Sequence, residues 1–184
     1  MKQKQENIET RNLIKHAFEM ARTLSVQKLL VQADELTDIK LMEQFREEEQ
    51  IIWLSRENET ISLHKPKTDK VVSIPQGTLS RMSQLKVGLL LAVMHKFVGL
   101  DESLLCLSGV AGTERLDTMM IANAKRDFPW FQKYKVEDVI GSVKIQEFVQ
   151  VLQIALRLAR EEVERGIRLE LCCCWEIPKS WSRI

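Results

Sequence analysis

Apolar positions along this chain recur first with a helical period and then in short blocks. Leu13, Ala17, Phe18, Ala21 and Leu24 share one stripe of Ile8–Leu24 and predict an amphipathic helix. Lys28–Gln32 (KLLVQ) reads as a short strand. Asp34 or Thr37 can then cap a second helix that runs to about Glu48, with Leu41, Met42 and Phe45 facing inward. Gln50–Leu54 (QIIWL) is the next strand. Helix, strand, helix, strand in close succession is the signature of a parallel α/β sheet.

The middle of the chain is less regular. Thr60–His64 and Val71–Ile74 predict short strands separated by the turn-like HKPKTDK, and Pro75 ends the second of them. Leu79–Val98 is apolar nearly all round, which predicts a helix covered on both sides. Leu104–Leu107 and Met119–Ala122 are too short for buried helices but long enough for buried strands. The polar loop between them holds Gly109, Gly112 and Asp117 and predicts a hairpin. From Val143 to about Arg165, the residues Ile145, Phe148, Val149, Leu152, Ala155, Leu156, Ala159 and Val163 recur at three-to-four spacing. They predict a long amphipathic helix that Gly166 ends. The remaining IRLELCCCWEIPKSWSRI shows no period. The expected organisation is an α/β domain over 8–140, a connector helix over 141–166 and an irregular tail over 167–184.

Composition narrows the class. At 184 residues, with 45% hydrophobic and 29% charged residues, the chain can bury a sizeable core. A net charge of +1 supplies no electrostatic footprint for nucleic acid or an anionic membrane. The N-terminal MKQKQENIETRN has no apolar run of the secretory kind, and Val87–Met94 falls far short of the roughly 20 residues a membrane span needs. A soluble, cytoplasmic protein is expected. Cys106 sits inside a predicted buried strand, and the adjacent Cys172–Cys174 have neither zinc-site nor disulfide-framework spacing.

No catalytic constellation is visible, and neither a metal nor a cofactor is expected. His16, His64 and His95 fall in a helix, at a strand end and near a helix end, with no ligand spacing among them. His95 reads as a partner for the carbonyls that end its helix. There is no GxSxG, Walker A or GxGxxG string. Asp34, Glu35 and Asp38 after the first strand argue against an anion there and fit helix capping. In the glycine loop, Arg115 and Asp117 permit two readings: contact with a ligand, or Asp117 and Thr118 bracing the turn by bonding its backbone. Under the first, the candidate ligand-binding residues are Ser108, Gly109, Gly112, Thr113, Arg115, Asp117 and Thr118, with a small polar ligand and Arg115 as the cation.

From Glu9 to Ser55 the pattern resembles the C-terminal domain of pyruvate kinases, and LSGVAGTERLDTMMIANA resembles that domain's closing hairpin. A closer resemblance is to the pyruvate-kinase-C-like domain at the N-terminus of some diadenylate cyclases, the family of the DNA-integrity scanning protein. It is carried by LSRMSQLKVGLLL at Leu79–Leu91, the CLSG turn at Cys106–Gly109 and Arg115-Leu116-Asp117-Thr118. VLQIALRLAREEVERG is similar to the connector that leads into the cyclase domain, so the likeness extends over about Glu9–Gly166. The Asp-Gly-Ala and Arg-His-Arg motifs of such cyclases are absent, and Ala33-Asp34-Glu35-Leu36-Thr37 replaces the Ser/Thr-rich phosphate loop of pyruvate kinases.

The resemblance implies a three-layer α/β sandwich with a mainly parallel sheet of about five strands. It implies a non-catalytic regulatory or sensor domain in cyclic di-AMP signalling. The alternatives are a truncated or frameshifted fragment of an active cyclase, and a free-standing small-molecule binder. The stripe from Ile145 to Val163 is expected to meet a second copy of the chain or a cyclase domain.

Overall fold

The computed structural model describes residues 2–36, 39–44, 50–56, 70–75, 79–110, 113, 115–128 and 144–164. Helix α1 (Lys2–Thr23) leads into strand β1 (Lys28–Gln32), then β2 (Gln50–Ser55) and β3 (Lys70–Ser73). Helix α2 (Arg81–Met94) precedes the pair β4 (Ser103–Gly109) and β5 (Leu116–Asn123). A single turn, α3 (Ala124–Asp127), and the long α4 (Ile145–Glu164) complete the described elements. The predicted strand Thr60–His64, the HKPKTDK turn, the segment 129–143 and the tail beyond Glu164 lie outside the described residues.

The five strands form one sheet in the order β3-β2-β1-β4-β5. β1 runs parallel to both β2 and β4, β2 runs parallel to β3, and only β4–β5 is antiparallel. The expected mainly parallel five-stranded sheet is present, and the predicted hairpin closes one edge.

Strand alternation separates two cores. Leu29, Val31, Ile51, Trp53, Leu105 and Leu107 point to one face and pack with Ile14, Ala17, Phe18 and Ala21 of α1. Leu30, Ile52, Leu54, Leu104 and Cys106 point to the other, against Leu85, Leu89 and Ala92 of α2. Both faces are covered, as near-continuous apolar strands require. Gly88 lets α2 approach β2 closely: a Cβ there would lie 2.5 Å from Leu54 Cδ1. Ile145, Phe148 and Val149 of α4 join the α2-side core, whereas Val151, Ile154 and Leu158 are exposed.

Two expectations need correction. The second helix does not form among the described residues, where two short 3-10 turns, Ala33–Glu35 and Ile39–Gln44, stand instead. Asp34 and Glu35 do not cap a helix, because their carboxylates are held by Ser55 and Arg56 at the end of β2. Met42 is nonetheless buried and Leu41 half-buried, and Phe45 lies outside the described residues.

Helix α2 is also shorter than its apolar run. Lys96 takes a left-handed φ of 59°, and Phe97 N–H then bonds Ala92 O while Lys96 N–H bonds Val93 O, a Schellman ending without glycine. Ser25 ends α1 in the same way. The His95 backbone N–H reaches Leu91 O, but its ring stacks on Phe97 with centroids 5.1 Å apart. Burial against that ring lowers its pKa.

Candidate functional site

In the sheet order, β2 lies on one side of β1 and β4 on the other. Open α/β sheets bind ligands outside the carboxyl ends of strands at such a switch point. Five of the six buried polar side chains among the described residues collect there. Gln32 ends β1, Ser55 ends β2, Ser108 lies one residue from the end of β4, Glu35 follows β1, and Gln84 occupies the first turn of α2. Between their polar first residues, Lys28, Gln50 and Ser103, and this edge, the same strands are apolar.

On the α2 side, Gln32, Ser108 and Thr118 form a row across the sheet. Val31 pairs with Leu107, so the next step of that ladder sets Gln32 beside Ser108, and Ser108 pairs with Thr118. Above the row, Gln84 Nε2 donates to Leu79 O at 2.9 Å, and Gln32 Nε2 donates to Gln84 Oε1 at 2.8 Å. Among the described residues, two polar atoms of the row have no partner: Gln32 Oε1 and Ser108 Oγ. Leaving a buried polar atom unpaired costs about 1–3 kcal/mol, so Gln32 Oε1 calls for a donor and Ser108 Oγ for a hydrogen-bond partner of either kind.

Arg81, the first residue of α2, spans from the helix to β5. Its Nη1 donates to Thr118 Oγ1 at 2.6 Å and to Asp117 Oδ1, and Thr118 Oγ1 donates to Asp117 Oδ1 at 2.7 Å. Consecutive strand residues normally point to opposite faces. Here the ladder shifts register between Ser108 and Gly109, so Asp117 is an extra residue in β5. This bulge re-aims Asp117 and lets one guanidinium nitrogen hold both neighbours. Gly109 is required at the same place, since a Cβ would lie 1.9 Å from Arg115 O and 3.2 Å from Glu35 Cβ.

A second network lies after β1 and β2. Asp34 accepts from Ser55 Oγ at 2.5 Å, from Arg56 N–H at 2.9 Å and from Arg56 Nε at 3.1 Å. Arg56 Nη2 donates to Glu35 Oε1 at 3.1 Å, and Glu35 is fully buried. The carboxylates that the sequence assigns to helix capping thus fasten the β1 and β2 loops to each other.

Of the residues expected to bind a ligand, Ser108, Gly109, Asp117 and Thr118 come together at the switch-point edge. Arg115 instead pairs with Glu9 of α1 at 3.0 Å. Thr113 braces the loop, donating from Oγ1 to Val110 O at 2.7 Å, so the turn-bracing assigned to Asp117 and Thr118 belongs to Thr113. Gly112 lies outside the described residues. Gln32, Gln84 and Arg81 were not legible as site residues. The sequence signals for them are Gln32 closing the apolar run Leu29–Val31, and the place of Arg81 and Gln84 within the LSRMSQLKVGLLL that carries the resemblance.

No described residue at this edge is poised for nucleophilic chemistry. Burial, with the Asp127 charge adding to it, pushes the Cys106 thiol up to about 12. His16 sits on the surface of α1 beside Glu19, and His95 lies at the far end of α2. Among the described residues no three His, Cys, Asp or Glu side chains are grouped to hold a metal, and no helix is long and apolar enough to cross a membrane.

These features define an open-sheet α/β domain whose polar groups are concentrated at one edge. Residues 9–126 match the family model described as "Probable sensor domain DacZ_P", and the chain belongs to that family. DacZ is a diadenylate cyclase, and the matching region is its sensor domain, not its catalytic domain; it corresponds to the N-terminal sensor domain of the DNA-integrity scanning protein family. No curated protein matches the chain.

Proposed function

We propose that this chain is the regulatory part of a diadenylate cyclase system, sensing a small polar ligand at the switch-point edge and passing its state to a cyclase domain through α4. Family membership supports the regulatory role. The observation that carries the binding role is the pair of buried polar atoms without a partner among the described residues, Gln32 Oε1 and Ser108 Oγ, on the α2 side of the sheet. The route outward is physical. Ser108 and Thr118 belong to the hairpin that runs straight into α3, and Ile145, Phe148 and Val149 of α4 pack on the same α2-side core. A ligand that shifts α2 against the sheet therefore displaces the base of α4. The exposed Val151, Ile154 and Leu158 stripe is the surface on which that shift is read.

The condensation itself is left to the partner domain. Joining two ATP molecules needs metal-held triphosphates aligned for in-line attack, and the DacZ_P region is not where the family performs it. The test is a two-part assay for cyclic di-AMP. The chain alone, with ATP and Mg²⁺ or Mn²⁺, is expected to give no product above buffer. Joined to a diadenylate cyclase domain after α4, it is expected to change that domain's rate, and Leu158→Asp is expected to abolish the change. Product from the chain alone, or a rate indifferent to its presence, would refute the proposal. Sedimentation of the chain at several concentrations tests whether the same stripe also pairs two copies.

A further inference from the structure

Building on the sensor reading, we infer that the edge takes an uncharged ligand group that donates a hydrogen bond, an amide or a hydroxyl, and rejects phosphates and carboxylates. The inference follows from the direction of each hydrogen bond. Leu79 O can only accept, so the Gln84 amide must turn its Nε2 toward it, which leaves Gln84 Oε1 facing Gln32. Gln32 must then present Nε2 to Gln84, so its own Oε1 points away as a pure acceptor. That oxygen has no donor among the described residues, and neither amide can flip without breaking the chain of bonds.

The neighbouring groups point the same way. Ser108 Oγ is unpaired and can donate or accept. Thr118 Oγ1 already accepts from Arg81 and donates to Asp117. Arg81, the cation nearest the row, is neutralised by Asp117. An anion brought here would meet the lone pairs of Gln32 Oε1 and the Asp117 carboxylate, with the guanidinium already engaged. A hydroxyl or amide can donate to Gln32 Oε1 and accept from Ser108 Oγ at once, which leaves no buried polar atom of the row unpaired.

The experiment uses the whole chain and three matched pairs of probes: nicotinamide and nicotinate, ribose and ribose 5-phosphate, uridine and uridine 5′-monophosphate. Thermal shift and ligand-observed NMR are read for each. The uncharged member of at least one pair is expected to bind, and its charged partner to bind more weakly. Ser108→Ala and Gln32→Met each remove one of the two contacts and change little volume, and Gln32→Met also removes the donor to Gln84 Oε1. Each is expected to weaken the uncharged probe roughly tenfold, the loss of about one hydrogen bond. Circular dichroism checks that both variants fold, and Thr23→Ala, at the exposed end of α1, serves as a control expected to leave affinity unchanged. Stronger binding of the charged members would overturn the ligand class and leave the sensor reading standing. Affinity for the uncharged probe that is unchanged in both variants would overturn the assignment of the contacts. No binding by any probe would remove both the class and the ligand-sensing reading.

Discussion

Gly109→Ala should be the most destabilising single-methyl addition at the described glycines. The added Cβ would lie 1.9 Å from Arg115 O and 2.9 Å from Arg115 C, both backbone atoms of the residue that leads into β5, and 3.2 Å from Glu35 Cβ. Backbone in a paired strand cannot rotate away as a side chain can. The clash must be relieved by parting β4 from β5 or by pushing the Ala33–Glu35 turn outward. Overpacking costs about 1–3 kcal/mol where side chains can yield, so a backbone clash belongs at or above the top of that range. At about 3 kcal/mol, a domain of this size loses roughly 6–12 °C in Tm. Two other glycines calibrate the expectation. Gly88→Ala meets Leu54 Cδ1 at 2.5 Å and Cδ2 at 2.7 Å, ends of a buried but movable side chain, and should cost about 1–2 kcal/mol. Gly99→Ala meets nothing closer than Glu102 Oε2 at 3.6 Å and should stay within about 0.5 kcal/mol. Urea unfolding followed by tryptophan fluorescence, with m compared across the three variants, gives the ranking. A Gly109→Ala variant as stable as Gly99→Ala would refute the argument that the bulge leaves no room for a side chain.

Lys96→Gly should stabilise the chain by about 0.5–1 kcal/mol, because Lys96 holds a φ of 59° that glycine adopts without strain; a lower urea midpoint than the parent would count against it. Arg56→Ala should cost about 2–3 kcal/mol by stripping a charged partner from fully buried Glu35, and Glu35→Gln in the same chain should recover part of the loss. Burial opposes ionisation of Asp127, but its bonds to the Arg126 side chain and Asn123 N–H, with the Arg126 and Lys86 charges, outweigh it and hold its carboxyl below 3.8. A folded pKa below the unfolded one adds stability that is complete above that ordinary value and is lost as pH falls through the folded one. Asp127→Asn should therefore be less stable than the parent at pH 7, with the gap closing as the pH drops below 3.8; a gap independent of pH would refute the assignment.

Periodicity made α1, β1, β2, the β4–β5 hairpin and α4 legible, because each buries a face whose spacing matches its geometry. It misled where local chemistry was diverted to a distant partner. Asp34 and Glu35 look like capping carboxylates, but Ser55 and Arg56, about twenty residues on, hold them. The end of α2 was placed too late because Lys96, not a glycine, takes the left-handed position.

The near-continuous apolar runs of KLLVQ and QIIWL, set between helical periods, by themselves determined an α/β sheet with a core on each face, since such strands need cover on both sides. The resemblance carried by Cys106–Gly109 and Arg115–Thr118 led to the sensor family that the chain belongs to. What only the tertiary structure decided is which polar groups meet. Gln32, Gln84 and Ser108 are far apart in sequence and come together because β4 inserts beside β1 and α2 begins above them. The direction of the bond from Gln84 to Leu79 O then leaves Gln32 Oε1 an acceptor without a donor. Hydrogen-bond direction depends on what each atom faces after folding, and a linear pattern of polar and apolar letters does not contain it.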